Sequence, residues 1–282
     1  MATRREVLNM LCRAAMECYD EVEARQIAEM VLMAKANLSR NDIIVEPNKD
    51  VTVEDIDTIL EQLKSWRPVQ YIIGKADFMD MELEVTADVL IPRPETEELV
   101  MWVAEEAQAK CRVLDIGTGS GSIAIGVARS VKDAKVSAID ISDAALSVAR
   151  RNGAIYAENV VFIKGDALAD FDALFDDKFD VIVSNPPYIP SKDVVMMRPN
   201  VVDYEPHMAL FVDDSDPLIF YREIARSARR MLREGGYLLF EIHERLADAT
   251  VEMLRREGYQ DIELRRDFRQ KPRMICCRHR KE

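Results

Sequence analysis

The sequence predicts an α/β protein built on a mainly parallel sheet covered by helices on both faces, with a small helical bundle ahead of it. Three observations carry that expectation. From about residue 110 onward, short β-branched runs alternate with helical periodicity, the pattern of a parallel sheet buried on both sides. The first of those strands, Arg112–Ile116, runs straight into glycines at 117, 119 and 121 before a helical pattern begins. Successive strands then end in polar residues, Asp140, Asp166 and Asn185, on what would be one edge of the sheet.

The elements follow in order. Residues 1–74 read as helices: Leu8, Leu11, Cys12 and Ala15 recur at helical spacing, as do Ala24, Ile27, Ala28, Val31 and Leu32. A third helix is expected from Thr52 as cap and Asp55 as its acidic partner, followed by Ile56, Ile59, Leu60 and Leu63. Residues 75–91 alternate without helical period (Phe78, Met79, Met81, Leu83, Val85), which suggests a β-hairpin linker. Pro92 and Pro94 end it, and Pro94 with Glu95, Glu97 and Glu98 opens the helix that begins a second domain, 92–282. Strands are expected at 112–116, 135–140, 160–166 and 180–184, then a helix at 218–233, a strand at 236–242 and a helix at 244–257. The last two strands, near 261–266 and 273–278, have no long helix between them and should pair antiparallel at the sheet edge.

The chemistry concentrates at strand ends. Asp180-Val181-Ile182-Val183-Ser184 is stopped by Asn185-Pro186-Pro187-Tyr188. Each proline fixes its own φ and lacks an N–H, and Pro186 pushes Asn185 out of the helical region. The outcome is a stiff corner whose carbonyls and carboxamide oxygen can point at one planar amino group. The glycine loop, Gly117-Thr118-Gly119-Ser120-Gly121, lets a ligand approach the backbone closely. A nicotinamide fingerprint would place its third glycine at 122, where this chain has Ser122. Asp115, two residues before the first glycine, favours a positive ligand group over a pyrophosphate. Asp140 lies about 20 residues beyond the glycines, the usual distance for a ribose-hydroxyl acceptor. One strand-end acid is ordinarily a helix cap. Polar ends on successive strands, around a glycine loop, are better explained by a ligand.

With these residues in view, the chain resembles the seven-stranded, Rossmann-like S-adenosylmethionine-dependent methyltransferases. Within them it resembles the release factor glutamine methyltransferase (PrmC/HemK) family. The matching stretches are Pro68–Gly74, Val89-Leu90-Ile91-Pro92-Arg93-Pro94-Glu95-Thr96-Glu97-Glu98-Leu99-Val100, the glycine loop, Ser184–Ile189, and Tyr204-Glu205-Pro206-His207-Met208-Ala209-Leu210. The Asn-Pro-Pro-Tyr corner alone would also suit amino-methyltransferases of adenine, cytosine or guanine; the Ile-Pro-Arg-Pro-Glu-Thr-Glu and Glu-Pro-x-x-Ala-Leu stretches narrow it. The resemblance implies N5-methylation of the glutamine amide in the Gly-Gly-Gln motif of peptide-chain release factors, with S-adenosyl-L-homocysteine as product. It implies a cofactor site of Thr96, Asp115, Gly117, Thr118, Gly119, Ser120, Gly121, Asp140, Asp166, Ala167 and Asn185. Asn185, Pro186 and Tyr188 would be catalytic, and Asn185, Pro186, Pro187 and Tyr188 would hold the substrate amide. Residues 1–74 would recognise the protein substrate. The chain departs from the family at His243, which follows Phe240-Glu241-Ile242 where many members have glycine, and at Ala167, where an aromatic residue is common. Other readings in view are a methyltransferase of a ribosomal-protein glutamine, an amino-methyltransferase of nucleic acid, and a binding module without activity.

Composition bounds the alternatives. With 38 basic and 51 acidic residues the formal charge is -13, which argues against a sequence-independent nucleic-acid binder. Arg222, Arg226, Arg229, Arg230 and Arg233 recur along one helix and read as its solvated surface. No apolar run is long enough to span a bilayer, and the start of the chain is amphipathic, so a cytoplasmic protein without membrane contact is expected. Five cysteines without metal spacing read as reduced thiols, and three scattered histidines give no expectation of a metal.

Overall fold

The computed structural model describes residues 2–169 and 171–280. The chain divides into two compact units, Met1–Lys75 with Met197–Tyr204, and Ala76–Met196 with Glu205–Glu282.

The first unit holds helices α1 (Arg4–Ala15), α2 (Glu21–Ala36), α3 (Arg40–Val45), α4 (Ile56–Lys64) and α5 (Val69–Ile73), with two-residue strands β1 (Ala2–Thr3) and β2 (Asp50–Val51). Reciprocal capping boxes start α1 (Thr3 with Glu6) and α3 (Ser39 with Asp42), while Asp20 accepts from Val22 and Glu23 at the head of α2. Leu8, Leu11, Val31, Leu32 and Leu63 meet in its core. Each such side chain contributes about 1.5–3 kcal/mol by burial. Two features differ from the sequence reading. Thr52 does not cap α4: a turn at Glu54–Asp55 delays helical dihedrals until Ile56, and Asp55 sits left-handed at φ 53° with no side-chain cap. Helix α3 was not expected, because its six residues bury only Ile43 and so show no period. The 197–204 segment is held here by Arg198 to Glu23 (3.0 Å) and by the Tyr204 hydroxyl donating to the Ser65 carbonyl (2.6 Å).

A hairpin follows, β3 (Lys75–Phe78) and β4 (Met81–Glu84). Its two turn residues, Met79 and Asp80, both have positive φ (47° and 59°), the twist that two-residue hairpin loops favour. Glu97 accepts the Met79 N–H at 3.0 Å and steadies this otherwise unfavourable backbone. Strand pairing ends at Glu84, so residues 85–91 run without regular structure.

The second unit continues with α6 (Pro94–Glu106), β5 (Arg112–Ile116), α7 (Ser122–Ser130), β6 (Lys135–Asp140), α8 (Asp143–Tyr156), β7 (Val161–Lys164), β8 (Phe179–Ser184) and β9 (Ile189–Pro190). After α9 (Pro199–Val202), in the segment that belongs to the first unit, come α10 (His207–Leu210), β10 (Phe211–Val212), α11 (Ile219–Met231), β11 (Leu232–Glu241), α12 (Ala247–Arg256), β12 (Gln260–Arg266) and β13 (Pro272–Arg278). Seven strands form one sheet in the order β12-β13-β11-β8-β5-β6-β7. The strands from β11 to β7 run parallel, and β13 runs antiparallel to both β11 and β12. Alternate residues feed two cores: Val113, Val136, Val181 and Leu239 pack with Leu99, Trp102 and Ile123, while Leu114, Ile182, Leu238 and Phe240 pack with Tyr221, Ile224 and Leu254. The order reverses between β5 and β8, which makes their carboxyl ends the switch-point crevice of the sheet. Among the described residues no helix is long and apolar enough to cross a membrane.

Candidate active site

Register sets the site. Ile116 lies opposite Ser184, and Ser184 opposite Phe240, so the residues just beyond them, Gly117, Asn185 and Glu241, emerge side by side at one edge. The Ser184 hydroxyl donates to the Ile116 carbonyl (2.6 Å) and ties two of these ends together.

The glycine loop is held from below. Gly117 and Thr118 donate their N–H groups to the Ile139 carbonyl at 2.9 and 3.0 Å, and the Asn152 amide donates to the Ser120 carbonyl at 2.9 Å. Gly117, Gly119 and Gly121 have φ of 77°, 55° and 86°, values that side chains strain to adopt. A Cβ at Gly121 would press on Ile125 and Ala149, so that glycine serves packing. At Gly117 and Gly119 a Cβ would meet nothing within 4 Å, which leaves the backbone there open to close approach. Thr118 and Ser120 are buried within the loop.

Asp115 is fully buried on β5. One carboxylate oxygen accepts from the Thr118 hydroxyl (2.6 Å) and the Ala124 N–H (3.2 Å), while Oδ1 has no hydrogen-bond partner among the described residues. Burial pushes its carboxyl up to about 7, and nearby Asp140 adds to the push. At the end of β6, Asp140 accepts the Gly119 N–H through one oxygen and the Ser142 N–H through the other, each at 2.9 Å. A carboxylate has about four acceptor positions, so lone pairs remain for a diol. Asp166, two residues past β7, accepts the Leu168 N–H at 2.9 Å; Ala167 is half-buried against the core face that includes Ile139. An orphaned buried acid, a second acid at the end of β6 bonded to the glycine loop and open space over two glycines together fit a ligand that is cationic near Asp115 and carries a ribose near Asp140.

The corner after β8 meets a buried hydrogen-bond network. The Asn185 amide nitrogen donates to the Thr96 hydroxyl oxygen at 3.4 Å; Thr96, in the first turn of α6, donates to Glu241 Oε2 at 2.7 Å. The Tyr188 hydroxyl donates to Glu241 Oε1 at 3.2 Å. Pro186 is buried, and Asn185, Pro187 and Tyr188 are half-buried. Burial pushes the Glu241 carboxyl up from its ordinary value, against the pull of the Thr96 hydroxyl, the Arg273 guanidinium and Tyr188. The Tyr188 phenol is likewise raised, first by burial and then by the Glu241 charge. The His243 Nδ1 accepts the Arg245 N–H at 3.1 Å and opens a turn of 3₁₀ helix, its ring stands edge-on to Tyr188, and burial lowers its pKa.

The Arg93–Glu205 pair stands in the sequence stretches that carry the family resemblance, and Glu241 just before the departure at His243, but their part in the site shows only in the fold. Glu205, almost wholly buried, accepts from Arg93 at 2.5 Å and from the Ile91 N–H at 3.3 Å, and so braces the start of α6. An acid closing a buried apolar strand was the available signal for Glu241. The five arginines of the α11 region are locally matched, Arg226 to Glu223 and Glu257, Arg230 to Asp172, Arg233 to Asp180, Arg222 to Asp216, and Arg229 to the Glu257 carbonyl. A groove of about 900 Å³ lined by Asp77, Met79, Glu97, Met101 and Arg129 includes none of the site residues. Among the described residues no cluster of three or more His, Cys, Asp or Glu side chains is arranged to hold a metal.

Known proteins resemble this chain over most of its length. A family model described as a methyltransferase domain matches residues 107–276, and one described as the PrmC N-terminal domain matches residues 11–74. A release factor glutamine methyltransferase of Flavobacterium psychrophilum is 40% identical over 273 residues, covering 93% of this chain and 94% of that protein. One from Bacteroides thetaiotaomicron is 37% identical over 266 residues, covering 93% and 95%. Among solved structures, a methyltransferase from Pyrococcus furiosus aligns with a TM-score of 0.54 at 19% identity, over 72% of this chain and 91% of that one, which is a likeness of fold.

Proposed function

We propose that this chain, which belongs to the release factor glutamine methyltransferase family, methylates the side-chain amide nitrogen of glutamine in the Gly-Gly-Gln motif of peptide-chain release factors. The methyl donor in this reading is S-adenosylmethionine. The observation that carries it is the Asn185-Pro186-Pro187-Tyr188 corner at the switch point, between the glycine loop and buried Glu241.

Asp140 would hold the ribose hydroxyls, Asp166 the adenine amino group, and the backbone at Gly117 and Gly119 the rest of the donor, whose positive charge would draw the raised Asp115 carboxyl toward its ionised form. Bound there, S-adenosylmethionine supplies a methyl activated on cationic sulfur and leaves as S-adenosylhomocysteine. The remaining difficulty lies with the substrate. An amide nitrogen shares its lone pair with the carbonyl, the resonance behind the barrier of ~18–20 kcal/mol to peptide-bond rotation. Asn185 Oδ1 and the Pro186 carbonyl would accept the two amide hydrogens and bind better as positive charge develops on nitrogen. Tyr188, anchored through Glu241, would wall the planar group. These fixed dipoles hold the nitrogen toward the methyl, so positioning does most of the chemistry, and the surplus proton passes to water.

Recognition of the whole protein substrate falls to the helical unit in this reading. One glutamine side chain offers too little surface to select one protein among many. The reading places the enzyme in the cytoplasm with its substrate. The test is incubation with isotope-labelled S-adenosylmethionine beside release factor, ribosomes, tRNA and DNA. Label in the release factor alone is expected; label in RNA, DNA or ribosomal protein instead would transfer the assignment to that substrate.

A further inference from the structure

We infer that Glu241 is a positioning residue which, through Thr96, fixes the orientation of the Asn185 carboxamide. This rests on the reading that Asn185 grips the glutamine amide, and it names what decides which end of the Asn185 side chain the substrate meets.

The argument is a count of hydrogens. A threonine hydroxyl has one hydrogen and lone pairs to accept. Glu241 Oε2 lies 2.7 Å from Thr96 Oγ1, and in the ionised form, which the Thr96 and Tyr188 hydroxyls and the Arg273 guanidinium favour, Glu241 only accepts, so the Thr96 hydrogen is committed to it. The face that Thr96 Oγ1 turns to Asn185 is then an acceptor. Only the amino end of the carboxamide satisfies it, and Asn185 Nδ2 stands there at 3.4 Å. Flipped, Asn185 would bring its oxygen against another oxygen whose hydrogen points elsewhere. With the amino end held by Thr96, Oδ1 is left to accept from a substrate N–H.

The arrangement is braced on each side. Glu241 cannot swing away easily, because the Tyr188 hydroxyl occupies its other oxygen at 3.2 Å. Thr96 and Glu241 are 3% and 1% exposed, so water does not readily replace either bond. Thr96 is set by the first turn of α6 after Pro94, and Glu241 by the end of β11 beside β8. One carboxylate thus anchors the aromatic wall and orients the acceptor. A carboxamide reversed at this position would present N–H to N–H and repel the group it is meant to bind.

The test is single-turnover methylation of release factor glutamine by the full-length chain and its variants, with S-adenosylmethionine affinity and thermal midpoint measured for each. Thr96→Val keeps the shape and loses the hydroxyl. At saturating S-adenosylmethionine it is expected to slow methyl transfer by about tenfold to a hundredfold, roughly the loss of one buried hydrogen bond that serves the transition state. Thr96→Ser should recover most of the rate. In an Asn185→Ala background, Thr96→Val should cause no further loss, because the residue it orients is gone. Should Thr96→Val not fold, Glu241→Gln carries the same comparison, since its amide can donate to Thr96 and release the hydroxyl hydrogen toward Asn185. A full additional loss on top of Asn185→Ala, or a Thr96→Ser variant as slow as Thr96→Val, would overturn the orienting role. An unaltered chain that leaves the glutamine unmethylated would overturn the underlying reading and this proposal with it, a result distinct from the first.

Discussion

Asp140 accepts two backbone N–H groups of the loops around it and keeps acceptor positions to spare, so under the proposed function its removal should be felt mainly by the ligand. Losing a charge-assisted hydrogen bond costs about 1.5–3 kcal/mol, so Asp140→Ala should weaken S-adenosylmethionine binding by roughly tenfold to a hundredfold. Calorimetry that found unchanged affinity in a folded variant would remove Asp140 from the site. Asp115 gives a pH signature. Burial lifts its carboxyl to about 7 in the folded chain, well above the ordinary aspartate value. Between those two values the unfolded chain has released the proton while the folded chain keeps it, so rising pH draws stability away from the fold across that window. Asp115→Asn cannot ionise. Its stability relative to the unaltered chain should therefore climb as pH is raised toward neutrality and level off above about 7. Denaturant titrations that gave the same difference at every pH would contradict the buried, perturbed acid. Asn185, Asp140 and the glycines were legible in the sequence because strand ends and turns are local chemistry. Glu241 was not, because its partners Thr96 and Tyr188 stand 145 and 53 residues away.

At the scale of elements, the loop between β5 and α7 holds a crowded glycine, Gly121, within four residues of two that face open space. Gly121→Ala should lower stability, since its Cβ would stand 3.0 Å from Ile125 Cδ1 and 3.3 Å from Ala149 Cβ, at a left-handed φ. Gly119→Ala is also strained at φ 55°, but its Cβ enters open space. It should leave the larger mark on donor affinity. A thermal-melt and calorimetry pair that ranked the two variants the other way would reverse these roles. The main helices and strands of the sheet followed from periodicity, and so did the antiparallel pair at its edge, whereas the order of the central strands comes only from the fold. What periodicity did not carry was local backbone detail: the turn at Glu54–Asp55 that displaces Thr52 from its expected cap, and α3 with one buried residue. The left-handed Met79–Asp80 turn also hides from pattern, because neither residue is glycine.

For the whole molecule, the chain division has a consequence for substrate choice. Residues 197–204, far along the sequence, belong with the helical unit through Arg198–Glu23 and Tyr204–Ser65, a pairing that only the folded chain displays. If the helical unit recognises the release factor, the intact enzyme should show a much lower KM for the whole protein than for a short Gly-Gly-Gln peptide. Deleting residues 1–74 should raise the first and spare the second. Equal losses on both substrates, with the second unit still folded, would make the helices a scaffold. The acidic balance of -13 and the locally matched arginines of α11 are consistent with a protein partner rather than a nucleic-acid backbone. The measurement that bears most directly on the proposed reaction is peptide mass mapping of release factor after incubation with S-adenosylmethionine and the purified chain. One methyl group on the side-chain nitrogen of the Gly-Gly-Gln glutamine is expected. Asn185→Ala should slow its appearance by about 10²–10³, the scale for losing one preorganised polar group at a transition state. A methyl group on any other residue, or an Asn185→Ala variant that methylates the glutamine as fast as the unaltered chain, would contradict the account.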